Sequence, residues 1–293
     1  MINTQVERRI KPVTRGIVKA SDVFGRFKRE RRHEVRQPDI QGQTYVEQVK
    51  RTREMLRSLA PEKALEVIEF HKGLNLFQAL ALVQRGGKLI VPNDIHDRIL
   101  MKTTDKESLS QNYPVWTGTL VIYEKPDKPF GEQVVFSWED IRTAINYSIS
   151  FKVPKQFRGK TNCALVIEHP DFELVEVGKN NFEIPRISKN HDRRSRQYEL
   201  KPIKGARIKL IENFPKKLVG WYNKDPETKI PQGEPVSKSD KARYLCRLDS
   251  AYLGPIVRGF DFYDKKYVGL YNWPSFGFGV AFIGLGEAAS KEG

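Results

Sequence analysis

From residue 113 onward the apolar residues of this chain recur with a period of two, in short runs separated by Pro, Gly and Asn, while helical spacing is confined to the residues before it. Helices that do not alternate with strands are poorly placed to cover both faces of a parallel sheet, so a sandwich or barrel is favoured over a doubly wound α/β fold. The pattern predicts an α+β chain: a basic N-terminal arm, a small helical unit, then a β-rich, sandwich- or barrel-like C-terminal domain. The boundaries read as 1–42 for arm and linker, 43–105 for the helical unit and 110–293 for the β-rich domain.

In the helical unit, Thr44 and Glu47 have the spacing of a capping box, and Val46, Val49 and Leu56 follow at helical intervals. Pro61 suits the first position of a second helix that Gly73 ends, and Asn75 caps a third, Leu76 to Gln84, which is apolar nearly all round. That third helix is too apolar to read bases. Lys88 to Val91 reads as a short strand, and Asn93 or Asp94 caps a helix through Leu100.

The strand part opens with Val115 to Tyr123, expected to form a hairpin with Gln133 to Phe136 across the turn Lys125 to Gly131. Ser137 and Asp140 suggest a short helix through Ala144. Further strands are expected at Ser148–Val153, Asn162–Glu168, Glu173–Val177 and Ala206–Glu212, with loops at Ser188–Arg196 and Asn223–Lys241. Residues 244 to 282 carry eleven of the 31 aromatic residues, so this segment is expected to supply much of the second core. Within it Phe276, Phe278, Val280 and Phe282 alternate with Gly and Ala, a strand with one bulky and one bare face.

The net charge is +15, and nearly all of it lies in two places. Residues 1–36 carry +7, from Arg8, Arg9, Arg15, Arg26, Arg29, Arg31, Arg32 and further cations. Residues 186–209 carry another +7, from Arg186, Arg193, Arg194, Arg196, Arg207 and four lysines. The rest of the chain is close to balanced. Density of this kind releases counterions from phosphates, so these arginines are the expected nucleic-acid contacts. Arg243, Arg247, Arg258, Lys265 and Lys266 interleave with the C-terminal aromatics, a second pattern known from single-strand binding.

Catalytic signals are sparse. Asp94, His96 and Asp97 lie together, but neighbours on a helix diverge, and capping with surface charge accounts for the carboxylates. His169 precedes Pro170 at a strand end, where a turn role is expected. There is no P-loop, GxGxxG, GxSxG or HExxH motif, and no cofactor or metal is expected. Cys163 and Cys246 sit in apolar runs, which fits reduced core thiols and a cytoplasmic or particle-associated protein. No apolar run is long enough for a transmembrane helix.

The charge pattern points to a non-enzymatic protein that binds nucleic acid or another polyanion, or assembles on it, in the manner of a nucleoprotein or virus-like particle component. Homo- or hetero-oligomers fit that reading. Two other readings stay open: an enzyme acting on nucleic acid with His96 or His169 in its site, and a protein–protein scaffold whose arm orders in an assembly.

Overall fold

The computed structural model describes residues 42–71, 77, 79–80, 82–83, 87–102, 115–140, 145–177, 194–260, 268–271 and 279–284. The arm, with Arg8, Arg9, Arg15, Arg26, Arg29, Arg31 and Arg32, lies outside them, as do Arg186, Arg193, Lys265 and Lys266. The fold is α+β and β-rich, with the helices ahead of a strand-rich remainder.

Helix α1 spans Gly42–Ser58 and α2 spans Pro61–Val67. Strands β1 (Glu69–His71) and β2 (Lys88–Ile90) follow, then helix α3, Asn93–Lys102. Two expectations shift here. Helix α1 starts at Gly42, so Thr44 lies within its first turn. Helix α2 begins at Pro61 as expected but stops at Val67, because Ile68 turns to extended backbone and leads into β1. Val49, Leu56, Ala64, Val67, Ile95 and Ile99 join Leu89 of β2 and Val91, the residue after it, in a helical core. Ile90, between the last two, belongs instead to the core of the sheets, so β2 serves both with its period of two.

The strands continue as β3 (Val115–Tyr123), β4 (Gln133–Asp140), β5 (Ile145–Lys152), β6 (Ala164–Glu168), β7 (Phe172–Glu176), β8 (Arg194–Pro202) and β9 (Ile208–Ile211). They end with β10 (Val219–Lys224), β11 (Pro231–Pro235), β12 (Arg243–Cys246), β13 (Tyr252–Phe260), β14 (Val268–Tyr271) and β15 (Gly279–Gly284). Among the described residues eleven strands form one sheet, along the path β1-β15-β3-β13-β14-β12-β10-β11 with β2, β6 and β9 attached. The order β4-β5-β8-β7 makes a second sheet. Val134, Phe136, Ile149, Phe151 and Leu200 of the second sheet share one apolar core with Leu120, Ile122, Leu165, Ile167 and Tyr252 of the first. The two sheets therefore close on each other as in a sandwich.

The expected β3–β4 hairpin does not form. Strand β3 pairs with β6, β13 and β15, whereas β4 pairs with β5 in the other sheet, so the turn at 125–131 carries the chain between sheets. Ser137 to Asp140 continue β4, where the start of a helix is expected from sequence; the rest of that expected helix, 141–144, lies outside the described residues. Arg194 to Arg196 begin β8, in parallel register with β5, where a loop is expected from sequence. The polar stretch 223–241 contains β11, a bulged edge strand with Pro at both ends. Strands β1 and β2 pair with β15 from the far end of the chain, which ties the helical stretch to the large sheet.

Gly118 in β3 marks a close approach. Its N–H donates to the Val91 carbonyl at 2.8 Å, and its carbonyl accepts the His169 N–H at 2.8 Å. A Cβ there would sit 2.2 Å from the Ile90 carbonyl oxygen, a backbone atom with no freedom to yield. We expect Gly118→Ala to cost about 1–3 kcal/mol in urea unfolding, as overpacking does. Gly131→Ala is the control, since nothing lies within 4 Å of its Cβ position; it should stay within about 0.5 kcal/mol of the parent. Equal stabilities for the two variants would contradict this packing.

Candidate functional site

Helix α1 carries Lys50, Arg53 and Arg57 along one side, beside its buried Val49 and Leu56. This basic stripe meets carboxylates from the turn after β6 and from α3. Lys50 Nζ lies 2.8 Å from Asp171 Oδ1, and Arg53 Nη1 lies 3.2 Å from Asp171 Oδ2 and 3.8 Å from Glu168. Arg57 bridges Asp94 at 2.8 Å and Glu168 at 2.7 Å. Burial raises the Glu168 carboxyl above its ordinary range, opposed by the Arg57 charge, while hydrogen bonds to Asp94 and Glu168 outweigh burial and hold Arg57 firmly protonated.

A second set gathers around Asp97, one turn along α3 from Asp94 and on the same face of the helix. Arg243, at the start of β12, donates from Nε to Asp97 Oδ1 at 2.6 Å and from Nη2 to Oδ2 at 3.0 Å. Lys224 of β10 reaches the same carboxylate at 3.4 Å. Both members of the Asp97–Arg243 pair are almost fully buried, with side chains 3% and 1% exposed. A third set surrounds the β10–β11 turn. Asp225 Oδ1 accepts the N–H of Glu227 and both the N–H and the hydroxyl of Thr228, and Lys209 Nζ approaches it at 2.8 Å. Burial opposes ionisation of Asp225, but these donors outweigh it and lower its pKa. The Asn93 amide donates to the Thr228 carbonyl at 2.6 Å, which fixes this turn against the start of α3.

Residues of all three sets, though not Lys50 or Asp225, line one cleft of about 820 Å³. Its walls come from α1, α3, the turn after β6, β9, the β10–β11 turn and the residues before β12. Ten cationic and seven anionic side chains face it. Arg98 contributes its guanidinium while donating to the carbonyls of Leu56 and Arg57, so it also caps the C-terminus of α1. Lys102, Lys229 and Lys241 complete the basic rim.

Of the arginines singled out in the sequence, Arg207 lines this cleft. Arg196 is exposed on β8, in the four-stranded sheet, with a hydrogen bond to Tyr198 that raises its pKa. Arg194 belongs to the same strand through its backbone. Lys209, expected on a free basic face of β9, is instead held by Asp225 and Glu227.

The aromatic–basic pattern of the C-terminal part has a different meaning where it is described. Arg243 is buried against Asp97. Arg247 lies 4.3 Å over the Tyr123 ring and 5.3 Å from Phe214, and it donates to the carbonyls of Pro215 and Glu124. Neither is free to meet a ligand. Tyr252 is in the core, as expected for the aromatics of this stretch, and Tyr244 is half-buried. The side chain of Arg258 lies outside the described residues.

Asp97 is not the surface charge expected from sequence, because Arg243 neutralises it in the interior. Neither His96 nor His169 is among the residues lining the cleft. His169 is buried, and its Nδ1 accepts the Ile90 N–H at 3.3 Å. Burial, aided by the nearby Arg53 charge, pushes its pKa down to about 3. Cys163 is buried and Cys246 half-buried, and both are free thiols. Among the described residues no group of three or more His, Cys, Asp and Glu is placed to hold a metal ion, and no helix is long and apolar enough to cross a membrane.

The cleft itself leaves a trace in the sequence. Lys50, Arg53 and Arg57 follow helical spacing beside an apolar face, a stripe that a helical-wheel reading brings out. Its partners, more than a hundred residues away in part, give no such signal. Compared with known proteins, the chain matches no family model, no curated protein and no solved structure.

Proposed function

We propose that this is a non-enzymatic protein that binds a polyanion, nucleic acid first among them, and works as a binding or assembly component. The observation that carries the reading is the placement of Arg207 and Lys209. They belong to the second basic cluster of the sequence, and they line the same cleft as Arg98, Lys102, Lys229 and Lys241 from three other segments. Four separate stretches thus bring cations to one concave surface that carries more positive than negative groups. Concave walls of one prevailing sign concentrate a field and draw in phosphates. The basic arm, through its sequence alone, adds a second source of the same attraction.

The test is binding of a fluorescein-labelled single-stranded oligonucleotide, followed by anisotropy across a salt series. If about four phosphates are neutralised, affinity for the single strand drops about 50-fold between 50 and 200 mM salt. Removing residues 1–36 should weaken binding strongly, and Lys102→Gln with Lys241→Gln should flatten the salt slope. Absent binding, or binding indifferent to salt, sinks the proposal.

A further inference from the structure

The contact between Arg207, Lys209 and Glu227 has the form of an occupied anion site. Arg207 Nη1 and Nη2 meet the two carboxylate oxygens of Glu227 at 2.5 and 3.0 Å, a fork-to-fork pairing. Lys209 Nζ adds a third donor to Oε2 at 2.9 Å. A planar guanidinium with a lysine beside it is also the donor set that takes two oxygens of a phosphate.

The turn that bears Glu227 does not depend on this carboxylate. Its shape is held by Asp225, whose Oδ1 accepts the N–H groups of Glu227 and Thr228 and the Thr228 hydroxyl. Asp225 also keeps Lys209 in place from its other side. The Glu227 carboxylate is therefore removable without loss of the scaffold. It is accessible as well: the side chains of Arg207 and Glu227 are 70% and 41% exposed. An ion pair this open is weakly held and exchanges readily.

We propose that Arg207 and Lys209 form a phosphate-binding site at the rim of the cleft, and that Glu227 is its built-in competitor, standing where a ligand phosphate goes. The inference rests on the polyanion reading and deepens it: the site takes a phosphate monoester or a backbone phosphate, and Glu227 sets the threshold for its entry. A monoester phosphate with up to two negative charges outcompetes the single charge of Glu227 for the guanidinium fork, a backbone phosphate with one charge does so with the help of neighbouring phosphates on the cleft's other cations, and the freed carboxylate turns to solvent. The remaining carboxylate, Asp225, opposes the ligand through its charge but holds Lys209 in register.

The experiment compares the full chain with Glu227→Gln, with Glu227→Gln combined with Arg207→Gln, and with Glu234→Gln. The last removes one exposed negative charge from β11 and controls for net charge alone. Each is titrated with inorganic pyrophosphate by calorimetry and with the labelled oligonucleotide by anisotropy, after circular dichroism has shown equal melting. Glu227→Gln should bind pyrophosphate about tenfold more tightly, as expected when one charge-assisted competitor is removed. Glu234→Gln should match the parent, and Arg207→Gln should abolish the gain. No gain in Glu227→Gln, or an equal gain in Glu234→Gln, overturns the site. A parent that ignores the oligonucleotide while Glu227→Gln gains pyrophosphate affinity would refute the polyanion reading and leave the site standing. A parent that binds the oligonucleotide steeply with salt while Glu227→Gln gains nothing would do the reverse.

Discussion

Asp97→Ala will lower the free energy of unfolding by about 3–5 kcal/mol, because it leaves the Arg243 guanidinium charged and buried without its carboxylate, and Arg243→Ala will cost somewhat less, because Lys224 still faces Asp97. The geometry makes this one of the strongest points in the molecule. Two charge-assisted hydrogen bonds of 2.6 and 3.0 Å join Asp97 of α3 to Arg243 of β12, 146 residues apart. The second amino group of Arg243 donates to the carbonyls of Asp240 and Ala242 at 2.8 Å, so the guanidinium is fully engaged. Lys224 stabilises the same carboxylate from β10. Removing Arg243 leaves Asp97 facing Lys224 at 3.4 Å; removing Asp97 leaves a guanidinium in the interior. The double variant Asp97→Leu with Arg243→Met should be less damaging than the two single losses added together, since no unpaired charge is then left inside. Urea unfolding measures all four states. Single variants within 1 kcal/mol of the parent would show that the pair is solvated in a way its burial does not suggest.

That same pair shows where reading the sequence reaches its limit. Asp97 lies in a run rich in charge, and Arg243 and Arg247 lie among aromatics, so local context places the first on the surface and the other two in a ligand-binding stripe. What decides their roles is the partner brought in by the fold: Asp97 for Arg243, the rings of Tyr123 and Phe214 for Arg247. Local signals are sound where they are self-contained. Pro61 opens α2, helix α3 begins at Asn93, and the alternation of β3, β6 and β9 gives strands at the expected places. They fail where the choice is between distant partners. The turn at 125–131 looks like a hairpin because its residues fit one, yet β3 is surrounded by β6, β13 and β15 and has no room for β4. Strand β11 goes unseen because its prolines read as loop, although an edge strand tolerates them. The cleft falls between these cases. Its cationic stripe on α1 is written at helical spacing, but its carboxylates are scattered through five segments, and only folding turns them into one surface.

His169 gives the second large effect, and its sign follows from protonation. In the unfolded chain an imidazole takes up a proton near pH 6.5. In the folded protein burial and the Arg53 charge hold the ring neutral until about pH 3. Since Nδ1 accepts the Ile90 N–H, the single ring proton sits on Nε2. Between those two values the unfolded state binds the extra proton and the folded state does not. Stability contributed by the neutral ring is therefore complete above about pH 6.5 and is lost as the pH falls toward 3, at roughly 1.4 kcal/mol per unit once the unfolded imidazole is mostly charged. From pH 6.5 to 5 the loss should reach about 1–2 kcal/mol. Asp225 and Glu227 have lowered values, so their contribution disappears only at more acidic pH, after the unfolded carboxylates begin to protonate. Glu168 acts in the opposite sense, because its raised value lets the folded state take up a proton earlier than the unfolded one. A His169→Gln variant separates these terms. Its side-chain oxygen can still accept the Ile90 N–H, but it has no proton to gain. Unfolding free energies measured from pH 8 to 4.5 should fall more steeply for the parent than for His169→Gln below pH 6.5, while both run level above pH 7. The imidazole proton resonances of His169 should stay unshifted down to about pH 4. Parallel stability curves, or a resonance that titrates near 6.5, would mean that the ring reaches water and that the junction of β2, Gly118 and the turn after β6 is open to solvent.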